Sequence, residues 1–527
     1  MLYCYKFFKN AIFTSLYIFI YLKTFTGPKQ NTVADFWLMI WQDNVEQVVM
    51  LTNLMEGNKC KDDRRTVTQY HYTAWPDHGI PDPLCLLLFH DHVTRTQNSG
   101  HKGPILVHCS AGIGRTGTYI AIDALSEAGK TQNKINIAEY IKKMRRNRMN
   151  MVQTYEQYKT IFLTLLELFR APPAVLSTTE FLQKSQTEMS SKPANSSAFK
   201  KELQRLLVVR PQYTKKDYKV TSQFHDPSAS IHPLDKYVLF LTSNVPNRGS
   251  YINAINVPSF TNQNVFIITN YPTQDDAVDF LRLITDYDSG VVVCMEPLYN
   301  ASKWLPTIVR TKQVTPFTVK LQHEQTTEIK SSKIEITKKG FNDKAWSVEI
   351  TEPLDGLEEN NSKTVTHILG LVSFARNTET DGPIVVMSRD GAALCGVFCA
   401  VYNLIQQLTM DEEIDVFSAV RLLQTRRPEL CSTMRQEGND ESNMETAEEW
   451  SLHATSADFK RLFESLGIIV PEDKRQPSFA KCLLTGCCKQ GVILSFNFWK
   501  LEKIHRCWLG KEGGKLETLL ETLVDDC

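Results

Sequence analysis

Short apolar runs alternate with longer amphipathic stretches along the first third of the chain. The run from Pro104 to Val107 is typical of a buried strand, and the pattern from Thr118 to Ala128 is typical of a helix. The same patterns predict strands at 46–52, 66–73 and 104–108, and helices at 33–42, 82–96, 115–128, 136–148 and 154–169. Strands interleaved with helices predict an α/β fold, a twisted mixed β-sheet flanked by helices.

This pattern occurs twice in the chain. ADFWLMIW at 34–41 is similar to VDFLRLIT at 278–285, and GPILVHCSAGIGRTGTYIA at 103–121 is similar to GPIVVMSRDGAALCGVFCA at 382–400. The offset grows from 244 residues at the first pair to 279 at the second, so the first copy is 35 residues shorter between them. We therefore predict two tandem copies of one domain, the first shortened internally and in its N-terminal lead-in.

The repeat divides the chain into five predicted segments. They are an atypical hydrophobic N-terminus at 1–25, the shortened first domain at 26–170, a linker rich in Ser, Thr and Pro at 171–215, the second domain at 216–470, and an unassigned tail at 471–527. The uncharged stretch from Asn10 to Leu22 is shorter than the roughly 20 residues of a membrane-spanning helix. It also lacks a signal-peptide cleavage pattern, so we favour an atypical start over a targeting segment.

Composition narrows the possible partners and cofactors. The 59 basic residues balance the 59 acidic ones, so the chain has no net charge that would favour binding to nucleic acid or to an anionic membrane. The 13 cysteines form no disulfide framework, which indicates reduced thiols in a cytoplasmic compartment. The densest group (Cys482, Cys487, Cys488, His505 and Cys507) has no CxxC pair. We therefore predict no metal site and no cofactor.

The sequence VHCSAGIGRTG at 107–117 combines a strand end, a glycine-rich loop and a helix start. Backbone N–H groups in such a loop point inward and form a cradle for an anion, and Arg115 offers a planar fork of donors for phosphate oxygens. The same surroundings favour a thiolate at Cys109. A thiolate beneath a bound phosphate is a nucleophile aimed at phosphorus.

Phosphoryl transfer also needs an acid for the leaving oxygen and a base for water. TAWPDHGIP at 73–81 supplies Asp77 on a proline-stiffened loop, with Trp75 able to pack as a hinge. Gln153, in MVQTYEQY, is placed to orient the hydrolytic water. The hydroxyl of Thr116 is placed to hydrogen-bond the sulfur as it leaves.

Together, HCSAGIGRTG, WPDHGIP, DFWLMIW, VVMLT and MVQTYEQY resemble the classical protein tyrosine phosphatases. The tandem arrangement over roughly residues 26–470 is similar to the intracellular part of a receptor-type member. The resemblance implies Cys109 as the nucleophile that forms a phosphocysteine, Arg115 as phosphate ligand and Asp77 as acid and then base. The further implied residues are Gln153 for water, Thr116 for breakdown of the intermediate, His108 for thiol tuning, and Ser110, Ala111, Gly112, Ile113, Gly114 and Gln157 for substrate binding.

The second copy lacks this chemistry. Its aligned residues replace the first-copy ones as follows: Cys109 by Ser388, Arg115 by Leu394, His108 by Met387, Thr116 by Cys395 and Gln153 by Ser432. No Trp-Pro-Asp occurs around residues 352–357. We predict that the second domain is inactive, and the resemblance implies that it regulates catalysis or binds partners.

The implied partners are phosphotyrosine-containing proteins, with no nucleic acid. The implied location is the cytoplasm, or the cytoplasmic part of a membrane receptor linked to the membrane by an upstream segment. Two other hypotheses remain open at this point. One is a pseudo-phosphatase scaffold, impaired by the missing segments. The other is a phosphatase of the dual-specificity or low-molecular-weight type that shares only the Cys-x5-Arg loop, against which the Trp-Pro-Asp sequence and the repeat argue.

Overall fold

The computed structural model of this 527-residue chain describes residues 22–29, 31–51, 67–76, 79–96, 103–190, 198–223, 231–273, 275–298, 304–306, 311–339, 345–357 and 363–432. The predicted tail at 471–527 and the Cys482 group lie outside them, as does most of the N-terminal segment. The described part of the chain forms two compact units that divide after Arg170.

The first unit alternates strands and helices as its sequence predicts. Its described elements are β1 (Leu22–Thr26), α1 (Val33–Gln42), β2 (Gln47–Met50), β3 (Thr68–His71), α2 (Pro83–Arg95), β4 (Ile105–Cys109), α3 (Gly114–Gln132), α4 (Ile137–Asn147) and α5 (Tyr155–Arg170). The predicted strands and helices of this copy are confirmed, with ends that differ by a few residues. The sheet also includes β1, which begins at Leu22, ahead of the domain start predicted at residue 26.

The strands of the first unit form one parallel sheet in the order β1-β4-β2-β3. Every residue of β4 is buried, as expected for a parallel strand covered on both faces. Because side chains alternate along a strand, Val107 and Cys109 pack on one face while Leu106 packs against Phe36 and Ile40 of α1 on the other. Cys109 is the last residue of β4, so it lies at the carboxyl edge of the sheet, where ligands of such sheets bind.

Two helices of the first unit begin at side-chain caps. The Asp82 carboxylate accepts the N–H groups of Leu84 and Cys85 at 3.0 and 3.3 Å at the start of α2. The Asn136 side chain accepts the N–H of Glu139 at 3.0 Å at the start of α4. Caps of this kind satisfy N–H groups that a helix leaves unpaired, and each contributes about 1 kcal/mol.

The second unit contains the other described α-helices and β-strands, together with two short 3-10 helices at Lys215–Tyr218 and Thr221–Gln223. The α-helices and β-strands are β5 (Leu176–Ser177), α6 (Thr178–Ser190), α7 (Ala198–Val209), β6 (Val238–Phe240), β7 (Tyr251–Val257), β8 (Phe266–Asn270), α8 (Ala277–Asp286), β9 (Val291–Cys294), β10 (Thr311–Val314), β11 (Phe317–Thr326), β12 (Ile329–Lys338), β13 (Ala345–Pro353), α9 (Lys363–Asn377), β14 (Ile384–Ser388), α10 (Ala393–Asp411), β15 (Glu413–Ile414) and α11 (Val416–Gln424).

Nine of these strands form a mixed sheet in the order β10-β11-β12-β13-β9-β14-β8-β7-β6. Its middle run, β8-β14-β9-β13, is parallel and matches β1-β4-β2-β3 of the first unit. The antiparallel strands β10 to β12 lie between β9 and β13 along the chain. They have no counterpart among the described residues of the first unit, which locates the 35-residue difference. The antiparallel strands β6 and β7 at the other edge also have no counterpart among those residues, so the described sheet of the first unit is parallel rather than mixed.

Of residues 171–215, predicted as a linker, those that the structure describes (171–190 and 198–215) group with the second unit. Phe181 of α6 is only 1% exposed and packs in a core with Ile255 and Phe398. The carbonyl of Ala171 accepts a hydrogen bond of 3.1 Å from Arg421 Nη1. The composition of this segment resembles a linker because few apolar residues suffice to anchor two helices on an existing core.

Helix α10 is long and apolar enough to cross a membrane, with a mean hydropathy of 1.4 over its most apolar window. However, 72% of that window is buried inside the second unit. A helix that is apolar on all sides is expected at the centre of a large core. The hydropathy of α10 therefore reflects its packing between the sheet and α9 and α11.

Candidate active site

The loop after β4 curls back over the thiol of Cys109. Cys109 is 5% exposed, and the N–H of Gly112 donates to its Sγ at 3.2 Å. Gly112 has a φ of +68°, a left-handed conformation that glycine adopts at no steric cost. The loop thus points at least one backbone N–H at the sulfur, as stabilisation of a thiolate requires.

Strand β1 closes the other side of this loop. The N–H of Gly27 donates to the carbonyls of Cys109 and Ser110 at 2.6 and 3.1 Å. A Cβ at Gly27 would lie 2.9 Å from the Cys109 carbonyl oxygen, so a side chain there would push the loop away. Gly27 is not among the site residues predicted from the sequence, although the Gly-Pro pair directly after a strand-like run is a signal for such a turn.

Arg115 joins three segments of the chain around the loop. Its Nη1 donates to the Leu51 carbonyl at 3.1 Å, and its Nη2 donates to the Pro76 carbonyl at 3.2 Å. Its guanidinium carbon lies 5.8 Å from the ring centre of Trp75, which is buried. The predicted acid Asp77 follows Pro76 directly in sequence but lies outside the described residues.

Two predicted site residues close to Cys109 in sequence, His108 and Thr116, have buried polar side chains. Thr116 Oγ1 and His108 Nδ1 have no hydrogen-bond partner among the described residues. Burial lowers the pKa of His108 below 6.5, and nearby His71 lowers it further, while a hydrogen bond with the Cys109 backbone opposes both. His108 is therefore neutral at neutral pH, with its ring edge against Phe36.

The two predicted glutamines lie together over the start of α3. The N–H of Gln153 donates to Gln157 Oε1 at 2.8 Å. A Cβ at Gly114 would lie 2.6 Å from Gln153 Oε1 and 2.8 Å from Gln157 Nε2. Both side chains therefore reach the residue next to Arg115, and only a glycine leaves them room.

The remaining loop residues have separate positions. Ser110 and Ala111 are exposed, whereas Ile113 is half-buried. The Ala111 carbonyl accepts from Arg148 Nη2 at 3.1 Å, and the Ile113 carbonyl accepts from the N–H of Gly117 at 3.0 Å. The structure thus brings Gln153 and Gln157 to the loop that carries Cys109 and Arg115. The His108 side chain instead packs against Phe36, on the face of β4 opposite Cys109. No group of three His, Cys, Asp or Glu side chains suited to a metal occurs in the described part of either unit.

The equivalent loop of the second unit is filled by the protein's own carboxylates. Ser388, at the end of β14, donates from Oγ to Asp390 Oδ1 at 2.8 Å. The same Oδ1 accepts the N–H of Ala392 at 2.9 Å. Glu296 Oε2 accepts the N–H of Arg389 at 2.7 Å. Loop amides that could face an anion are therefore already paired.

The comparisons with known proteins agree with this geometry. A family model described as protein-tyrosine phosphatase matches residues 24–62, 58–167 and 226–436, which is more than half of the chain. Receptor-type tyrosine-protein phosphatase zeta of Rattus norvegicus is 26% identical over 477 residues. Receptor-type tyrosine-protein phosphatase U of Gallus gallus is 26% identical over 472 residues, and epsilon of Mus musculus is 27% identical over 482.

Each of these alignments covers 78% of the chain. The chain spans 20% of the length of zeta, 32% of U and 67% of epsilon. The family model matches both units, and in each unit it includes the loop between the central parallel strand and the following helix. The chain therefore belongs to the protein-tyrosine phosphatase family, and the relatives it resembles are receptor-type members.

Proposed function

We propose that the first unit hydrolyses phosphotyrosine in proteins through a phosphocysteine at Cys109. The observation that carries the proposal is the loop after β4, in which an N–H is aimed at Cys109 Sγ and Arg115 lies at the loop's end. Membership of the family and similarity to receptor-type phosphatases support the same activity.

In the first step, the Cys109 thiolate attacks phosphorus, and the bond from phosphorus to the tyrosine oxygen breaks. Asp77 gives its proton to that oxygen, so tyrosine leaves neutral. Arg115 and the loop N–H groups stabilise charge on the transferring oxygens. Thr116 Oγ1, which has no partner among the described residues, is available to donate to the sulfur.

In the second step, water attacks phosphorus and the sulfur–phosphorus bond breaks. Asp77, now a carboxylate, takes the proton of the water. Gln153 orients this water from its position over Gly114, and Gln157 accepts the N–H of Gln153. Phosphate leaves and the thiolate is restored, so the cycle needs no metal or cofactor.

We assign the second unit a regulatory or partner-binding role without catalysis. Its loop holds Ser388 and Leu394 where the first unit has a thiol and an arginine, and Asp390 and Glu296 pair its amides. Similarity to receptor-type members supports a location in the cytoplasmic part of a membrane receptor, linked to the membrane by an upstream segment. The domain limits of 26–170 and 216–470 also remain proposals.

A scaffold without turnover is a second candidate. The observation that favours it is the small described sheet of the first unit. This sheet has four strands, whereas the large sheet of the second unit has nine. In this case phosphotyrosine proteins bind the first unit but are not hydrolysed.

Hydrolysis of an aryl phosphate by the full chain separates the two candidates. We expect Cys109→Ser to lower turnover by at least about 10³-fold, because the nucleophile is lost. The matched control is Cys85→Ser, which changes another buried thiol of the same unit and should leave turnover within about threefold. Equal rates for wild type and Cys109→Ser would overturn the catalytic proposal, and faster release from phosphoserine than phosphotyrosine peptides would revive a dual-specificity enzyme.

A further inference from the structure

Val152, which directly precedes Gln153, has a backbone conformation that its side chain disfavours. Its φ is +59°, in the left-handed region, where a β-branched residue is an outlier. Such a conformation persists only where surrounding contacts hold it. Because Val152 determines the direction in which the chain enters Gln153, these contacts also determine where Gln153 lies.

Contacts from α3 and α4 hold this turn. Arg145 of α4 donates from Nε to the Met151 carbonyl at 3.0 Å and from Nη2 to the Val152 carbonyl at 2.7 Å. The N–H of Val152 donates to the Ile113 carbonyl at 3.2 Å. A Cβ at Gly117 would lie 2.8 Å from the Val152 nitrogen, so α3 packs directly against the turn.

We propose that Arg145 is a positioning residue for the second step of the reaction. Its two hydrogen bonds to consecutive carbonyls fix the orientation of both peptide planes that lead into Gln153. Gln153 then keeps its place over Gly114, where water must be held for attack on the phosphocysteine. This inference rests on the proposed function.

The second unit shows that the turn itself does not need an arginine. Its aligned residue Cys431 has a φ of +57°, and Gly396 again leaves room for the turn. The aligned side chain is Gln424, which donates to one carbonyl, that of Leu430, at 3.3 Å. The residue that follows the turn there is Ser432 rather than glutamine. The pair of bonds to both carbonyls thus occurs in the copy that carries the glutamine.

This comparison supplies a variant that should fold. Arg145→Gln introduces the residue that the second unit uses at the same position, and Arg146→Gln makes the same change at an exposed neighbour. In stopped-flow assays of the full chain, we expect Arg145→Gln to form the phosphocysteine within about twofold of the wild-type rate. Its breakdown should slow by about 10- to 100-fold, since small misplacements of a catalytic group have effects of this size. We therefore expect an initial burst of product with Arg145→Gln and no burst with Arg146→Gln.

Hydrogen–deuterium exchange tests the positioning independently of turnover. Peptides covering residues 149–157 should exchange faster in Arg145→Gln than in Arg146→Gln, with equal unfolding midpoints in urea. Unchanged exchange, or an equal slowing of both chemical steps, would overturn the positioning role. If wild type and Cys109→Ser hydrolyse aryl phosphate equally slowly, the proposed function fails, yet the exchange result still decides whether Arg145 holds the turn.

Discussion

Burial determines what His108 can contribute beside Cys109. Its side chain is 4% exposed, and desolvation is the largest cause of its lowered pKa. A neutral imidazole supplies no positive charge to the proposed reaction. That reaction therefore relies on the Gly112 N–H, which donates to Cys109 Sγ, and on the cation at Arg115.

The lowered pKa of His108 predicts a loss of stability in acid. The unfolded chain binds a proton at this residue near pH 6.5, whereas the folded chain binds it only at lower pH. This difference in proton binding at His108 therefore adds to the free energy of unfolding above pH 6.5. The added stability is lost as the pH falls from 6.5 towards the lower pKa of His108 in the folded chain. We expect urea midpoints measured between pH 7.5 and 5.5 to fall less in His108→Gln than in wild type. The exposed His323→Gln serves as control, and identical pH slopes for all three proteins would contradict the prediction.

At the scale of elements, the first turn of α3 meets the turn around Val152 through two glycines. Gly114 faces the flexible ends of Gln153 and Gln157, whereas Gly117 faces the backbone nitrogen of Val152. A side-chain end can move away from a new methyl group, but a packed backbone cannot move without disturbing both segments. The two positions therefore differ in what a substitution would damage.

We expect Gly114→Ala and Gly117→Ala to have different effects. Gly114→Ala should lower turnover by about 10-fold or more, because it displaces both glutamines. Its free energy of unfolding should change little, because the gain in helix propensity of about 1 kcal/mol offsets the cost of displacing the two side chains. Gly117→Ala should lower the free energy of unfolding by about 1–3 kcal/mol. Urea unfolding and steady-state kinetics on both variants check this, and the opposite pattern would show that the turn yields more easily than the glutamines.

For the molecule as a whole, the two units share one parallel strand order and one strand–loop–helix connection. They differ in what occupies the amides of that loop. In the first unit a thiol accepts an amide N–H, and in the second the carboxylates of Asp390 and Glu296 do so. Carboxylates inside the loop repel a dianion as well as filling its place.

This difference predicts that oxyanions bind to one unit. Orthovanadate, an analogue of phosphate, should slow hydrogen–deuterium exchange in peptides covering 107–117, because a ligand stabilises the state that binds it. Peptides covering 386–395 should be unaffected. Arg115→Met should abolish the effect in the first unit, and protection of both loops would show that the carboxylates of the second unit are displaced.

Much of this site could be predicted from the sequence, because its signals are local. The strand, the glycine loop and the helix of 105–132 lie within one short segment, and the internal repeat supplied a comparison. The roles of Gly27 and Arg145 could not be predicted this way. Gly27 meets Cys109 from a strand far away in sequence, and the Val152 backbone conformation leaves no mark on residue type.

The sequence by itself determined the α/β class, the internal repeat and the replaced residues of the second loop, since each depends on residue type and short spacing. It also predicts the Cys-x5-Arg chemistry of the proposed function. Only the tertiary structure decided that the described residues of the predicted linker pack with the second unit and that His108 is buried and neutral. It also decided that Glu296 reaches the amide of Arg389 across 93 positions of the chain. These features depend on burial and on contacts between distant residues, which periodicity and motifs do not encode.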